Sequence, residues 1–327
     1  MPRTLRAQYD SFALSRPFRI SRGVKSQADV VTVTVEADGM IGRGEGVPYP
    51  RYGESVETSL AAIEGIRGAI EDGAGRAELL ALLQPGAARN AVDCALWDLE
   101  SRLAGKPVAA LIGAAEPDRL ASALTIGIDT PMMMGVAARQ IADAPLIKVK
   151  VDASLPDAQI RAVRSAAPDA ALIVDPNESW NQRLVEAMQR VLVECRVALL
   201  EQPVPADDDA WLEGFTPDVP ICADESVHVA ADLDRVAARY QVVNVKLDKS
   251  GGLTAGLELA RAARERGLGL MTGCMISSSL SIAPALHVAR LSDFVDLDGP
   301  IWLAEDRAGG VRDAHGYLLP PTKGFWG

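Results

Sequence analysis

Histidine, cysteine and aromatic residues are scarce in this chain. It has three histidines and four cysteines among 327 residues, and aromatic residues make up 5% of the total. The cysteines are widely scattered without a CxxC pair, which argues against a zinc site and against a disulfide framework. We therefore expect buried free thiols in a reducing compartment. The cysteines are Cys94, Cys195, Cys222 and Cys274.

The sequence also lacks targeting segments and an excess of positive charge. No N-terminal stretch joins a charged start to an apolar core, and no apolar run reaches transmembrane length. We expect a cytoplasmic protein without a membrane partner. The formal net charge of −11 argues against nucleic acid as a partner, so an anionic small-molecule substrate would need local cations. Composition does not determine the oligomeric state, and a homo-oligomer is one of the alternatives.

Length and hydrophobic content predict two regions of different architecture. With 48% hydrophobic residues, the chain can form a large barrel and a smaller domain. The turn signal Asp38-Gly39 lies between two apolar stretches and predicts an antiparallel hairpin, and helical patterns follow at 55–72 and 87–103. The stretches 20–26 and 46–54 are interpreted as irregular loops. Beyond about residue 119, strand-like runs alternate with helical patterns.

In this second region a polar or glycine-rich position follows each strand-like run. These positions lie 22 to 27 residues apart, which is the length of a βα unit, and the runs are mostly continuously apolar, as in a parallel sheet covered on both faces. Seven or eight such units predict an α/β fold of the (β/α)-barrel type. A doubly wound sheet is the alternative, but no GxGxxG follows a first strand. The positions are Thr125, Lys148, Asp175, Glu201, Asp224, Lys246, Thr272 and Asp296.

Three carboxylates in this series, Asp175, Glu201 and Asp224, follow consecutive strands. In a barrel, these strand ends form the active-site face. A single acid at such a position is better explained as a helix cap or a loop residue. Three together would repel one another unless a cation compensates their charge, and an all-oxygen ligand set suits Mg²⁺, with Mn²⁺ as a substitute.

Lysines flank these acids on both sides. Lys148 and Lys150 alternate along the strand 146–152 and should point the same way, as a structural or as a catalytic pair. Neighbouring cations disfavour protonation, which would let one lysine remove a proton near neutral pH. Lys246 lies across the predicted barrel, and a metal between opposed bases suits proton removal beside a carboxylate and return on either face. Lys249 is interpreted as a loop cation beyond the strand.

Together these motifs resemble the enolase superfamily, within it the muconate-lactonizing-enzyme-like subgroup with its Lys-x-Lys motif, and most closely the dipeptide epimerases. The resemblance covers nearly the whole chain. It rests on 88–98, 105–108, Lys148-Val-Lys150, Asp175-Pro-Asn177, Glu201-Gln-Pro203, Ala223-Asp-Glu-Ser226 and Lys246-Leu-Asp-Lys-Ser-Gly-Gly252.

The resemblance implies a modified TIM barrel at 119–302 and an α+β capping domain at 1–118, completed by the C-terminal tail 303–327. It implies that Lys150 and Lys246 are the two acid/base residues, and that Lys148 tunes Lys150 and helps to neutralise the substrate carboxylate. It also implies that Mg²⁺ is held by the three strand-end acids, Asp175, Glu201 and Asp224.

Substrate contacts are expected at both ends of the site. Asp296 and Asp298 should point together and suit a substrate ammonium, although a strand end or helix cap would explain them too. In the similar epimerases an Asp-x-Asp binds the free amino terminus of the dipeptide, and a cation of the first loop, here Arg22 or Lys25, binds the acidic side chain. Further candidates are Tyr49, Tyr52, Thr125, Ser277 and Ser278.

The implied activity is Mg²⁺-dependent 1,1-proton transfer at the α-carbon of the C-terminal residue of L-Ala-L/D-Glu-type dipeptides, in murein peptide metabolism. An N-acylamino acid racemase and an o-succinylbenzoate synthase of the same superfamily are the alternatives. A catalytically idle barrel that acts as a binding protein is the alternative from a different class. The sequence does not indicate which lysine faces which stereoisomer.

Overall fold

The computed structural model describes residues 3–327. The chain begins with an antiparallel sheet in the order β1-β2-β3. The predicted hairpin is confirmed, since Ala37 pairs with Met40 and both turn residues, Asp38 and Gly39, have positive φ angles of 51° and 74°, as a type I′ turn requires. The three strands are β1 (Thr4–Ile20), β2 (Gly23–Ala37) and β3 (Met40–Gly46).

The interpretation of 20–26 as an irregular loop was wrong. Ile20 pairs with Gly23, so Ser21 and Arg22 form a two-residue turn between β1 and β2, and Lys25 lies within β2. Sequence reasoning missed β1 altogether, because all but one of its residues are exposed or half-buried and the strand therefore has no apolar face.

Five helices follow the sheet. The predicted helix 55–72 is interrupted at Ile66, whereas 87–103 forms one helix that ends at Gly105, with φ 61°. Helix α4 lies directly on β3, and a Cβ at Gly42, Gly44 or Gly46 would come within 2.2 Å of its backbone. The helices are α1 (Val56–Gly65), α2 (Arg67–Glu71), α3 (Arg76–Leu82), α4 (Ala87–Ala104) and α5 (Val108–Leu111).

After the short strand β4 (Leu120–Ala121), eight parallel strands pair in sequence order. The first and last come together where the Ala123 amide donates to the Val295 carbonyl at 2.8 Å. The predicted (β/α) barrel with a separate α+β part is thereby confirmed. The strands are β5 (Leu124–Ile126), β6 (Leu146–Lys150), β7 (Ala171–Asp175), β8 (Val197–Glu201), β9 (Ile221–Ala223), β10 (Val242–Val245), β11 (Gly269–Gly273) and β12 (Phe294–Asp296).

One small apolar cluster fills the barrel interior, with one buried residue from each of seven neighbouring segments, from Ala123 to Met271. The helices pack outside in a much larger apolar core. No helix within residues 3–327 is long and apolar enough to cross a membrane. The helices are α6 (Pro131–Gln140), α7 (Pro156–Ala166), α8 (Gln182–Glu194), α9 (Leu233–Val236), α10 (Leu247–Ser250), α11 (Leu253–Glu265) and α12 (Ser279–Ala289).

The C-terminal tail returns to the N-terminal part. The Trp326 indole donates to the Arg43 carbonyl at 2.9 Å, and the Val108 amide donates to the Gly327 carbonyl at 3.2 Å. The tail contains two short strands, β13 (Arg312–Asp313) and β14 (Tyr317–Leu319); β14 pairs with β4, and β13 pairs with β14. The tail thus ties the N-terminal sheet and α4 to the barrel.

Candidate active site

The three predicted metal-binding acids lie at the carboxyl end of the barrel. Asp175 ends β7, Glu201 ends β8 and Asp224 directly follows β9, and all three side chains are buried. Lys150 pairs with Asp175 in the parallel ladder between β6 and β7, so the last residues of these strands reach the same rim. The sequence pattern of an apolar run followed by an acid therefore corresponds to a strand that ends at this rim.

One oxygen of each acid is held by a neighbouring protein donor. Asp175 Oδ1 accepts from the backbone amide of Asn177 at 2.8 Å, which the positive φ of Asn177, 46°, brings into reach. Glu201 Oε1 accepts from the Asn244 amide at 2.9 Å. Asp224 Oδ1 accepts from Lys249 Nζ at 2.6 Å. This pattern fixes the three carboxylate groups and leaves the second oxygen of each to face the lysines.

The second oxygens contact the lysines at short distances. Lys148 Nζ lies 2.6 Å from Glu201 Oε2 and 3.1 Å from Asp175 Oδ2. Lys150 Nζ lies 2.5 Å from the same Asp175 oxygen. On the other side of the rim, Lys246 Nζ lies 2.6 Å from Asp224 Oδ2.

Lys150 and Lys246 are therefore separated by the row of carboxylates. They belong to β6 and to the residue after β10, four strands apart in a barrel of eight, so they face each other across the rim. Both lysines line the cavity above the acids.

The carboxylates determine the protonation of these lysines. Burial lowers the pKa of Lys148, but Asp296, Glu201 and Asp175 outweigh burial and hold this pKa well above its usual value. Burial also opposes the charged form of Lys246, while Asp224 raises its pKa. Sequence reasoning considered mainly the repulsion between lysines, and the structure adds an acid for each of them. Lys148 and Lys246 are therefore protonated while they contact the carboxylates.

The charge around Glu201 favours a further cation. Burial and the negative charges of Asp175 and Asp224 raise the pKa of Glu201 to about 7, despite Lys148. Burial opposes ionisation of Asp175 and Asp224 as well, but the lysines lower the pKa of both.

This donor set fits Mg²⁺ in chemistry and charge. Three fixed carboxylates each present one oxygen, and no histidine or thiol is among them. As oriented here, those oxygens point at lysines, and within residues 3–327 no group of three acidic, histidine or cysteine side chains is arranged as a formed metal cage.

A cavity above the acids brings together most of the predicted substrate contacts. Its lining also includes Phe18, Met275 and Trp302, which give it an apolar wall. Ser277 is fully buried and does not belong to the lining, and Ser278 instead caps α12 and contacts Glu45. The predicted contacts that line the cavity are Arg22, Lys25, Tyr49, Tyr52, Thr125, Asp296 and Asp298.

The two cations of the β1–β2 hairpin have different surroundings. Arg22 lies 2.8 Å from Glu225 and 3.1 Å from Glu178. Burial disfavours its charge, but Glu225 and Tyr49 raise its pKa. Lys25 instead lies over the Tyr49 ring, with Nζ 4.7 Å from the ring centre, and burial lowers its pKa. Of the two hairpin cations, Arg22 is thus the one already paired with carboxylates.

Asp296 and Asp298 both reach the cavity, but they are not equivalent. Asp296 ends β12 and lies 2.7 Å from Lys148 Nζ. Asp298 lies beyond the strand, and its Oδ2 accepts from the Thr125 amide at 2.8 Å. Burial and the charge of Asp296 raise the pKa of Asp298 to about 6. A cationic group between the two acids would relieve this repulsion.

Several residues that shape the site were missed or misinterpreted in the sequence. Lys249, interpreted as a loop cation, is fully buried against Asp224. Asn244 lies two residues before Lys246, and this spacing places both on one face of the strand, which could have identified it. The barrel acids Glu178 and Glu225 give no periodic signal, because their partner is the hairpin residue Arg22, more than 150 residues away.

Comparisons with known proteins agree with this architecture. Residues 3–113 match the family "Mandelate racemase / muconate lactonizing enzyme, N-terminal domain", and residues 134–325 match "Enolase C-terminal domain-like". The chain is 47% identical over 306 residues to L-Ala-D/L-Glu epimerase of Escherichia coli strain K12, spanning 93% of this chain and 95% of the relative. It is 40% identical over 300 residues to N-acetyl-D-glutamate racemase of a Pseudoalteromonas species, spanning 91% and 95%.

Solved structures are similarly close. An enolase family member from Agrobacterium tumefaciens with homology to dipeptide epimerases, solved with bound sodium and L-Ala-L-Glu, is 44% identical, covers 100% of both chains and superposes with a TM-score of 0.97. A dipeptide epimerase from Methylococcus capsulatus, complexed with Mg and L-Arg-D-Lys, is 32% identical, covers 98% of this chain and 97% of that one, and gives a TM-score of 0.90. The chain therefore belongs to the enolase superfamily, with the N-terminal domain of the mandelate racemase and muconate lactonizing enzyme family and an enolase-like C-terminal domain.

Proposed function

We propose that this protein is a dipeptide epimerase that inverts the α-carbon of the C-terminal residue of L-Ala-L/D-Glu-type dipeptides. The observation that carries the proposal is the position of Lys150 and Lys246 on opposite sides of the carboxylate row, both lining one cavity. A neutral lysine on one face of an α-carbon and a protonated lysine on the other can remove and return a proton with inversion.

Each base needs a route from its ammonium form to the neutral amine. Lys150 contacts Asp175 and Lys246 contacts Asp224, and Asp224 raises the pKa of Lys246. A cation bound by Asp224 would weaken its contact with Lys246 and lower the proton affinity of that lysine. The neutral lysine would then take the α-proton from one face, and the protonated lysine would deliver a proton to the other.

We propose that Asp175, Glu201 and Asp224 hold Mg²⁺, with Mn²⁺ as a substitute. When bound, the ion would supply positive charge to the substrate carboxylate and so make the α-proton more acidic. Lys148 would stay protonated, because three carboxylates surround it, and its charge would add to the attraction for the substrate carboxylate.

The ends of the cavity suit the two ends of an Ala-Glu dipeptide. Asp296 and Asp298 would bind the substrate ammonium, with Thr125 beside them. Arg22 and Lys25 would bind the acidic side chain of the second residue, and Tyr49 and Tyr52 would close the cavity beside them. The relative from Escherichia coli is named for this dipeptide, and the Agrobacterium tumefaciens structure contains it.

Racemisation of an N-acylamino acid is the second candidate. The relative named N-acetyl-D-glutamate racemase favours it, because N-acetylglutamate carries the same acidic side chain and lacks a free ammonium group. Asp298→Asn separates the two candidates, since Asp298 does not contact the lysines that the chemistry needs. We expect this substitution to raise KM for L-Ala-L-Glu while leaving an N-acetylglutamate reaction unaffected.

We further propose that the capping domain comprises residues 1–118 with the tail 303–327, and that the barrel comprises 119–302. Murein peptide metabolism in the cytoplasm is the setting that we propose, with small molecules rather than nucleic acid or membranes as partners. A homo-oligomer is compatible with this proposal.

Proton NMR in D₂O tests the activity. The protein is incubated with Mg²⁺ and a small panel of L,L-dipeptides that includes L-Ala-L-Glu, with N-acetyl-L-glutamate as the acylated comparison. Loss of the α-proton signal of the C-terminal residue, with appearance of the diastereomer, is the expected result. Exchange in the acylated compound alone would identify a racemase, and exchange in neither would contradict both candidates.

A further inference from the structure

The fourth lysine of the site, Lys249, does not line the cavity, whereas Lys148, Lys150 and Lys246 do. It lies in α10, one helical turn after Lys246, and its side chain is fully buried. Its Nζ donates to Asp224 Oδ1 at 2.6 Å, to the Asp224 carbonyl and to the Asn244 carbonyl at 3.3 Å. Three donors meet three acceptors, so this ammonium is satisfied entirely by the protein.

Lys249 and Lys246 divide the carboxylate of Asp224 between them. Oδ1 contacts Lys249 and Oδ2 contacts Lys246, at the same distance of 2.6 Å. Of these two lysines, Lys246 lines the cavity and Lys249 does not. One lysine can therefore reach a substrate, whereas the other acts on the carboxylate from below.

The segment that carries Lys249 is clamped by the N-terminal domain. Asp248 Oδ1 accepts from the Val47 amide and from Asn90 Nδ2, both at 2.8 Å. Arg89 donates to the Ser250 carbonyl at 2.6 Å and to the Gly251 carbonyl at 3.1 Å.

The turn after α10 leaves little room for movement. Gly251 has a φ of 78°, and a Cβ there would lie 2.4 Å from Arg89. A lysine on so tightly held a segment keeps its ammonium in one place.

We propose that Lys249 is a positioning residue, which holds Asp224 Oδ1 from below so that Oδ2 faces the cavity for a divalent cation. This inference rests on the proposed metal role of Asp224. Asn244 holds Glu201 by one oxygen, and Asn177 holds Asp175 Oδ1 by its backbone amide and Oδ2 more loosely by its side chain at 3.3 Å; Lys249 is the charged member of the set. Such supporting partners orient ligands, and their loss typically costs about 10- to 100-fold in metal affinity.

The charge of Lys249 and its orienting contacts would change Mg²⁺ affinity in opposite directions, so a measurement of affinity tells them apart. Removal of a positive charge beside Asp224 would, by charge alone, tighten binding of a divalent cation. Removal of the orienting contacts would weaken it. The direction of the change therefore distinguishes orientation from charge.

The experiment is titration calorimetry of Mg²⁺ into the metal-free protein without substrate, for wild type and Lys249→Met. The variant should bind Mg²⁺ about 10- to 100-fold more weakly. Arg102→Met is the matched control, because it removes a cation 2.9 Å from the buried carboxylate of Asp98, outside the site. The control should lose stability in thermal unfolding but keep the wild-type Mg²⁺ affinity.

Unchanged or tighter Mg²⁺ binding by a folded Lys249→Met variant would overturn the proposal. This result would leave the proposed function intact if the wild type epimerises the dipeptide. Absence of Mg²⁺ binding by the wild type would overturn the metal assignment as well. Lys249→Gln, which keeps a hydrogen-bond donor, should lose less affinity than Lys249→Met and serves in its place if that variant does not fold. If neither variant folds, Lys249 has a structural role and the proposal is wrong.

Discussion

Two groups of charges lie at or beside this cavity, and they differ in the burial of their cations and in origin. The strand-end cluster comprises Lys148, Lys150, Asp175, Glu201, Asp224 and Lys246, all nearly or fully buried at the barrel rim. The loop cluster comprises Arg22 and Arg51, which pair with the barrel acids Glu178 and Glu225, together with Lys25, which lies over the Tyr49 ring. In the loop cluster the arginine side chains are 27% and 39% exposed.

This difference in burial suits the strand-end cluster to proton transfer and the loop cluster to substrate selectivity. Breaking a buried ion pair by removing one partner costs about 3–5 kcal/mol, whereas an exposed pair contributes about 0–1 kcal/mol. The strand-end cluster therefore keeps its arrangement, as proton transfer requires. In the loop cluster the arginines are partly exposed although their acids are buried, so a substrate carboxylate can reach Arg22 from the cavity.

The largest effect is expected from the bases of the strand-end cluster. Lys246→Ala and Lys150→Ala should each lower kcat for epimerisation of L-Ala-L-Glu by about 10²- to 10⁴-fold, because a positioned acid/base group contributes that much. Circular dichroism should show that both variants fold. Full activity of either variant would exclude that lysine from the mechanism.

An intermediate effect is expected in the loop cluster. Arg22→Gln should raise KM for L-Ala-L-Glu by about 10- to 100-fold with little change in kcat, since a hydrogen bond to a charged group is worth about 1.5–3 kcal/mol. A dipeptide with a neutral second residue should be unaffected. Lys25→Gln is the matched control, and a larger effect there would assign the acidic side chain to Lys25 instead.

A smaller effect is expected at the edge of the same cluster. Arg51 contacts Glu178 at 2.9 Å but has no place in the cavity lining. Arg51→Ala should change KM by less than about fivefold, as expected for an exposed pair. A change in KM as large as that of Arg22→Gln, measured under the same conditions, would show that the Arg51–Glu178 pair closes the site. Arg51 would then belong to the substrate-binding residues together with Arg22.

The smallest effect on activity, but a clear one on stability, is expected at Asp248. Burial raises its pKa to about 7, above the ordinary value of 3.8, so the folded state binds this proton more tightly than the unfolded state. This contribution to the free energy of unfolding is complete below about pH 4 and is lost as the pH rises through 7.

Asp248→Asn removes the charge and keeps an oxygen for Val47 and Asn90. The variant should match the wild type near pH 4 and become the more stable of the two toward pH 8. Urea unfolding at several pH values measures this difference, and parallel pH curves would contradict the expectation.

The two clusters were not equally predictable from sequence. Asp175, Glu201 and Asp224 each follow an apolar run, and a parallel barrel places such residues at one rim, so periodicity located them. Lys249 was misinterpreted because its direction depends on the short helix α10 and on the left-handed Gly251 that ends it. Both contact Arg89 or Asn90 of the distant helix α4, and such contacts have no local sequence pattern.

The loop cluster was predicted only in part. Sequence reasoning placed Arg22 and Lys25 near the substrate by resemblance, but it assigned them to an irregular loop rather than to a hairpin. Glu178 and Glu225 were missed, because the pairing of a hairpin cation with a barrel acid is a tertiary contact without a local pattern. Strand ends can thus be located from local sequence, whereas ion pairs between domains cannot.

The central claim is that two lysines act on opposite faces of one α-carbon. Its most direct test is α-proton exchange in D₂O, followed by NMR, with Lys150→Ala and Lys246→Ala incubated separately with L-Ala-L-Glu and with L-Ala-D-Glu. Each variant keeps one base, so each should exchange the α-proton of one diastereomer without converting it, and the two variants should act on different diastereomers. Exchange of the same diastereomer by both variants, or continued epimerisation by either, would contradict the two-base account.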